Sequence, residues 1–211
     1  MNEEGIIREL KRHFATSDYK LSNVFIWDWE SDFFCLTSSG YAMEVEVKIS
    51  RGDFKADMKK TQKHFILRNA GEEEVDMPVH SWSGSQTMIR KVRPKSPNKF
   101  FYCCPATMIK PEEIPEYAGL LWFDPEHEMN SIQTVKPAKW LHKNKQDLSR
   151  VLLDKYYYLY LNLMHEYRSM AHFADRIRDT YAPEKDLPEL DKKAMEGKAF
   201  YEPTLFDNLT D

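Results

Sequence analysis

The sequence predicts an α/β fold, in which a mixed β-sheet core is flanked by helices and a long helix lies near the C-terminal end. Two observations lead to this fold class. Strand-like and helical stretches alternate over residues 1–124, and such alternation is typical of a mixed sheet with helices packed on it. Residues 147–180 then keep one helical spacing without a break. We therefore expect a core domain over residues 1–124 and a helical extension with a polar tail over residues 125–211.

The first elements are marked by the spacing of their apolar residues. A helix is predicted over about residues 3–15, where the residues recurring at helical intervals are Ile6, Ile7, Leu10 and Phe14. Residues 24–27 are then expected to form a short strand or an extended segment. Residues 32–37 and 41–49 are two β-rich runs, and the turn residues Ser38-Ser39-Gly40 between them predict a β-hairpin.

A further helix is expected directly after the hairpin. Ser50 has the position and the hydroxyl of an N-cap residue, and Asp53 follows it at the spacing of a capping box. A stripe at helical spacing carries the predicted helix to about residue 68. The members of this stripe are Phe54, Met58, Thr61 and Phe65.

The remaining segments differ in their periodicity. Residues 70–98 show little of it and predict an irregular insertion. Residues 100–104 are a continuous apolar run, as expected of a strand buried on both faces, and residues 118–123 predict another strand. Over residues 147–180 the apolar positions alternate by three and four, which predicts one long amphipathic helix.

Length and composition exclude several classes of protein. A chain of 211 residues with 42% hydrophobic and 30% charged residues can bury its own core. No segment approaches the length of a membrane span, and the N-terminal stretch lacks the pattern of a secretory signal, so a cytoplasmic protein is expected. Cys35, Cys103 and Cys104 lie in strand-like runs without zinc-type spacing, which favours buried free thiols.

The charge distribution is more informative than the net charge of −4. Two local clusters of basic residues are compatible with a surface that faces phosphate, although such clusters also occur on ordinary solvated surfaces. The first cluster lies on the helix after Ser50 and consists of Arg51, Lys55, Lys59, Lys60, Lys63 and Arg68. The second lies in one predicted loop and consists of Arg90, Lys91, Arg93, Lys95 and Lys99.

The strand predicted over residues 41–49 carries the strongest indication of function. Alternate residues of a strand face the same way, so Glu44, Glu46 and Lys48 share one face. The opposite face would place Met43, Val45, Val47 and Ile49 in a core. A carboxylate pair can hold Mg²⁺ or Mn²⁺, and a neighbouring lysine can position a water or neutralise charge on a phosphate. The pattern predicts phosphodiester chemistry at Glu46 and Lys48; the alternative is an ion pair on a solvated sheet face.

The predicted hairpin brings a further acid to this face. Asp32 opens the run before the turn, and adjacent antiparallel strands can bring it beside Glu46, which gives one metal ion two carboxylates. Asp28 and Glu30 are rivals for this position, and Asp32 is favoured because its strand lies nearest the turn. Glu44 would either add a ligand or lie at the sheet edge.

This layout resembles the PD-(D/E)xK nuclease superfamily, in which a helix precedes an Asp-bearing strand and a second strand carries Glu-x-Lys. The stretch Glu46-Val-Lys48-Ile-Ser-Arg-Gly-Asp53-Phe-Lys-Ala-Asp57-Met-Lys59 is similar to the MmcB-like group of DNA-repair-associated proteins and their phage relatives. Phe100-Phe-Tyr-Cys-Cys-Pro105 and Ile114-Pro-Glu-Tyr-Ala-Gly-Leu-Leu121 are also similar to that group. The resemblance covers roughly residues 3–123, without the insertion and the C-terminal helix.

The resemblance implies a restriction-endonuclease-like sheet with Asp32 and Glu46 as ligands of Mg²⁺ or Mn²⁺. Lys48 is implied as the group that orients or helps activate the attacking water. The name of the superfamily specifies a proline directly before the first acid, and in this chain that position is occupied by Ser31.

Residues on the following helix are expected to support this core. Asp53 is expected as a helix cap, Asp57 as a partner of Lys60 or a brace of the site, and His64 as an exposed polar residue. The candidate nucleic-acid contacts are Lys55, Lys59, Lys60 and Lys63.

The expected function is that of a metal-dependent deoxyribonuclease or DNA-processing protein. The alternative is a nuclease-fold protein that binds DNA in a repair or phage assembly without cutting it. The C-terminal helix would hold a protein partner or a second copy of the chain. Thr204-Leu-Phe206 in the tail faintly resembles a sliding-clamp-binding peptide.

Overall fold

The computed structural model of the protein describes residues 2–80, 87–127 and 130–181. The chain divides into two compact units, Met1–Leu152 and Leu153–Asp211. The tail that holds Thr204-Leu-Phe206 lies outside the described residues.

The described elements confirm the predicted α/β class. Their order along the chain is α1 (Glu3–His13), β1 (Tyr19–Phe25), β2 (Glu30–Leu36), β3 (Ala42–Val47), α2 (Arg51–Asp57), α3 (Thr61–Arg68), β4 (Val75–His80), β5 (Thr87–Val92), β6 (Lys99–Pro105), β7 (Gly119–Phe123), β8 (Ile132–Lys136) and α4 (Ser149–Tyr181).

Six of these strands form one mixed sheet in the order β1-β2-β3-β6-β7-β8. The predicted hairpin is confirmed, since β2 and β3 pair antiparallel. Gly40 in the turn between them has a φ of +81°, which costs glycine little. β3 pairs parallel with β6 and β6 parallel with β7, so α2, α3 and the β4–β5 hairpin lie in the connection between two central strands.

The two faces of the sheet bury different sets of side chains. Val45 and Val47 of β3 pack in a core with Ile6 and Leu10 of α1. On the other face, Phe100 and Tyr102 of β6 pack with Phe54 of α2 and Leu67 of α3. Because strand side chains alternate, Glu44, Glu46 and Lys48 lie on the face that α2 and α3 cover. Ile49, predicted for the core, is 47% exposed because β3 ends at Val47.

The single helix predicted to residue 68 is wrong, because the chain breaks between α2 and α3. Ser50 caps α2 as predicted, accepting a hydrogen bond from the Asp53 backbone N–H. At the C-terminal end of α2, the Asp57 carbonyl accepts hydrogen bonds from the backbone N–H of Lys60 and from the His64 ring. These two bonds close a turn. The break rotates the second half of the stripe, so Ile66 and Leu67 are buried while Thr61 is exposed.

Two further expectations differ from the structure. Within residues 70–98, predicted as irregular, β4 and β5 pair antiparallel with Val75 opposite Val92. Pro78 and the charged residues of these strands obscure the alternation that would have marked them. The sheet also continues past the expected boundary at residue 124, because β8 pairs with β7.

The long C-terminal helix is confirmed as α4. Leu152 in its first turn is buried against Leu21 and Phe34. Of the helices in the described part of the chain, none combines the length and the apolar character that crossing a membrane requires.

Candidate active site

A cluster of acids and lysines lies on the sheet face that α2 and α3 cover. β3 contributes Glu44 and Glu46, and Lys48 directly follows its last residue; the three are 0%, 2% and 4% exposed. The ion pair between Glu46 and Lys48 is present, but the sheet face that carries it is buried and not solvated. Burying charged groups is costly unless they are paired, so the contacts of each group decide what the cluster can do.

Asp32 meets this cluster from the neighbouring strand. Its Oδ2 atom accepts the backbone N–H of Val47 at 2.7 Å. Burial and the charge of Glu46 raise the pKa of Asp32 to about 7. The structure thus brings Asp32 to Glu46 and Lys48, whereas the rival acids Asp28 and Glu30 are exposed.

Glu46 is the centre of the cluster, because three lysines converge on its two oxygens. The Nζ atom of Lys48 lies 2.8 Å from Oε1, and that of Lys60 lies 3.5 Å from the same oxygen. Lys63 reaches Oε2 at 2.5 Å. Burial acts to lower the pKa of Lys48, but Glu46, Asp57 and Asp32 together hold this pKa above its ordinary value.

Asp57 is a second buried carboxylate, at the end of α2. It pairs with Lys60 at 3.1 Å, as predicted, and its Oδ2 accepts the Tyr102 hydroxyl at 2.7 Å. Burial would raise the pKa of Asp57, but the hydrogen bond of His64 and the charges of Lys63 and Lys48 hold it well below its ordinary value. Asp57 therefore stays ionised and neutralises part of the lysine charge.

Lys63 was expected on the surface as a nucleic-acid contact, and the structure places it inside. It is 4% exposed, with its ammonium 4.9 Å from the centroid of the Phe100 ring. The break between α2 and α3 turns it inward. Lys60 is 55% exposed on its side chain while still touching the cluster, and Lys55 and Lys59 are exposed.

His64 is also buried, contrary to expectation. Its Nε2 lies 2.9 Å from the Asp57 carbonyl, and because a carbonyl only accepts, Nε2 carries the proton in this bond. Its Nδ1 lies 2.5 Å from the Tyr117 hydroxyl. His64 therefore fastens α3 to the end of α2 and to Tyr117, which fixes the direction from which Lys60 and Lys63 enter the cluster.

Asp32 and Glu46 fit a hard divalent cation in the chemistry of their donors. Two carboxylates that repel each other, as the raised pKa of Asp32 indicates, gain from a cation between them. Both oxygens of Glu46 contact lysines, so a cation would displace one of these contacts. Among the described residues no group of three or more His, Cys, Asp or Glu side chains is arranged as a metal site. Two carboxylates are a set of donors that Mg²⁺ accepts, because Mg²⁺ commonly takes one or two carboxylates and completes its shell with water and phosphate.

The comparisons with known proteins add little about chemistry. No family model matches the chain, and no curated protein matches it. It is similar to the solved structure of the SPO1766 protein of unknown function from Silicibacter pomeroyi, with 20% identity and a TM-score of 0.44 over 86% of this chain and 89% of that chain. A likeness of this size carries no conclusion about function.

Proposed function

We propose that the protein is a metal-dependent deoxyribonuclease that hydrolyses phosphodiester bonds of DNA. The observation that carries the proposal is the meeting of Asp32, Glu46 and Lys48 at one point of the sheet, with Lys48 and Glu46 in contact at 2.8 Å. The resemblance of this strand region to the MmcB-like group of DNA-repair-associated proteins and their phage relatives favours DNA over RNA. We also propose a role in the cytoplasm, since the N-terminal stretch lacks the pattern of a secretory signal.

Each residue of the cluster has a task in this proposal. Asp32 and Glu46 would hold Mg²⁺ or Mn²⁺, which supplies a water of lowered pKa and charge for the phosphate. Lys48 positions the attacking water and stabilises the negative charge that develops on the phosphate. Lys60, exposed at the edge of the cluster, is placed to contact a phosphate oxygen.

Other side chains fix the geometry of these groups. Lys63 holds the second oxygen of Glu46, and Asp57 balances the lysine charge from the side of α2. Tyr102 pairs directly with Glu46 in the parallel β3–β6 register and donates to Asp57. A site with groups held in this way needs little reorganisation when charge develops in the reaction.

Cleavage of labelled single-stranded, duplex and forked DNA with Mg²⁺ or Mn²⁺ tests the proposal. Cutting should require the metal and should be lost in Lys48→Ala and Glu46→Ala. Lys143→Ala, a change at an exposed lysine outside the cluster, is the matched control and should cut like the native chain. Full activity in Lys48→Ala, with the same cleavage pattern, would refute the assignment.

One observation favours the second candidate, a nuclease-fold protein that binds DNA without cutting it. Both oxygens of Glu46 contact lysines, and these ion pairs compete with a metal ion. If the native protein shifts one of the three DNAs on a gel and cuts none of them with either metal, this second function replaces the first.

We also propose a partner for the C-terminal helix, either another protein or a second copy of the chain. Beyond Leu152, α4 exposes large apolar side chains over much of its length, including Leu153, Leu163 and Met170 at 70%, 64% and 71%. Exposed apolar area of this extent is typical of an interaction surface. The molar mass in solution, compared with that of a variant carrying Leu163→Lys and Met170→Lys, distinguishes self-association from a monomer that awaits another partner.

A further inference from the structure

We propose that a cavity beside the buried cluster binds one unstacked nucleotide of a single DNA strand. The inference rests on the proposed function, because the bound strand would be the substrate. The cavity has a volume of about 380 Å³, within the usual range of small-molecule sites. Its lining includes Trp29, Lys59, Lys60, Lys63, Ile66 and Met77.

The cavity and the cluster share side chains. Lys60 lines the cavity, and its Nζ lies 3.5 Å from Glu46 and 3.1 Å from Asp57. Lys63 lines the cavity and contacts the other oxygen of Glu46. A phosphate held by Lys60 would therefore be separated from Glu46 by the lysine ammonium alone.

One wall of the cavity is aromatic and apolar. The indole of Trp29 is half-buried, and its Nε1 donates to Glu44 Oε1 at 2.7 Å, which fixes the orientation of the ring. Ile66 and Met77 lie on the same lining. Bases of any sequence stack on such an aromatic surface.

The other side of the cavity is positively charged. Three lysines and one carboxylate, that of Asp28, line it; Lys60 and Lys63 also pair with the buried acids, whereas Lys59 is exposed. The side chain of Lys60, the N-cap residue of α3, makes no capping hydrogen bond, so the positive end of the helix dipole adds to the lysine charge. An aromatic wall beside lysines matches the base and the phosphate of one nucleotide.

This combination selects single strands over duplex. In a duplex the faces of each base are covered by its neighbours, so a base reaches an aromatic wall in a cavity only after leaving the stack. A single strand has no such cost. We therefore expect the protein to bind single-stranded DNA, or the unpaired arm of a fork, more tightly than duplex.

Fluorescence anisotropy with a short labelled oligothymidylate in EDTA tests the inference without any cleavage. Trp29→Leu removes the ring and should weaken binding about tenfold, whereas Trp29→Phe keeps a ring and should retain most of the affinity. Trp140→Leu is the matched control, because Trp140 is 44% exposed and lies outside the cavity lining. It should bind like the native chain.

A second variant tests the phosphate side and serves if Trp29→Leu does not fold. Lys59→Gln should lower the slope of log Kd against log salt by about 0.7, the value for one phosphate contact on a single strand. Lys143→Gln, at an exposed lysine outside the lining, should leave the slope unchanged.

The outcomes separate this inference from the proposed function. Binding that depends on Trp29 and Lys59 without cleavage by any metal supports the cavity and refutes the nuclease. Cleavage with no effect of either residue on binding refutes the cavity and leaves the nuclease standing. Equal losses in Trp29→Phe and Trp29→Leu would overturn the stacking role, because the indole would then act only by holding Glu44.

Discussion

The ammonium nitrogen of Lys63 lies 2.5 Å from Oε2 of Glu46, and both side chains are buried. The same ammonium lies 3.8 Å from Glu44 Oε1 and 3.8 Å from Asp57 Oδ1. One buried cation is thus shared by three buried carboxylates. Lys63 therefore neutralises negative charge inside the site, whereas its position among the basic residues of a helix suggested a surface role.

Replacing Lys63 by Met should destabilise the protein strongly. The substitution keeps most of the side-chain volume but leaves Glu46 and Glu44 without their nearest buried cation. Removing one partner of a buried pair costs about 3–5 kcal/mol. Urea denaturation of the native chain and the variant at neutral pH measures this loss.

Lys60→Met is the matched control, because its side chain is 55% exposed and touches the same acids. An exposed ion pair contributes at most about 1 kcal/mol, so this variant should unfold close to the native midpoint. If the two variants lose the same stability, Lys63 is not the cation that supports the buried acids.

Glu44 should make the folded protein less stable as the pH rises from about 4.5 to about 7. Burial raises the pKa of Glu44 from 4.5 to about 7, despite the charge of Lys63 and the hydrogen bond from Trp29. Between these values the unfolded chain releases the proton while the folded chain keeps it, so rising pH favours unfolding. The difference in pKa corresponds to roughly 3 kcal/mol.

The variant Glu44→Gln cannot ionise and should lose this part of the pH dependence. Relative to the native chain it should gain stability from pH 4.5 to pH 7.5 in urea denaturation. Glu30→Gln, at an exposed acid of β2, is the control and should follow the native profile. The lowered pKa of Asp57 has the opposite effect, because it makes the folded protein less stable as the pH falls. This effect occurs below the ordinary pKa of 3.8, outside the range from pH 4.5 to pH 7.5. A constant difference between Glu44→Gln and the native chain would contradict the prediction.

The sequence was sufficient to predict Asp32, Glu46 and Lys48 as neighbours, because local rules place all three. The period of a strand puts Glu46 and Lys48 on one face, and the short turn at Gly40 returns the chain so that Asp32 lies on the adjacent strand. These rules act over the 17 residues from Asp32 to Lys48.

The buried position of Lys63 and the role of Tyr102 were missed because long-range packing determines both. Lys63 points inward only because the chain turns between α2 and α3, which the Asp57 carbonyl stabilises through Lys60 and His64. Tyr102 reaches Asp57 only through the parallel pairing of β3 with β6, which puts it beside Glu46. In the sequence it is one aromatic residue in an apolar run, so its hydroxyl gives no signal.

Tyr102→Phe should lower the stability by about 1–3 kcal/mol, because it removes a hydrogen bond to a buried carboxylate and leaves the ring in place. Thermal or urea unfolding measures the loss. Tyr41→Phe is a control, since Tyr41 also packs its ring on a neighbouring aromatic residue, Trp140, and is less buried. Equal stability of Tyr102→Phe and the native chain would show that the hydroxyl does not support Asp57.

Mn²⁺ should stabilise the folded protein through Asp32 and Glu46 if these carboxylates hold the cation. A ligand that binds only the folded state adds about 1.4 kcal/mol when its concentration is ten times Kd. We expect the thermal midpoint of the native chain to rise with Mn²⁺ and that of Asp32→Asn to stay constant. Lys60→Met should show a larger rise than the native chain, because the ammonium 3.5 Å from Glu46 Oε1 no longer competes with the cation. An equal rise in Asp32→Asn and the native chain would place the cation elsewhere and remove Asp32 from the proposed site.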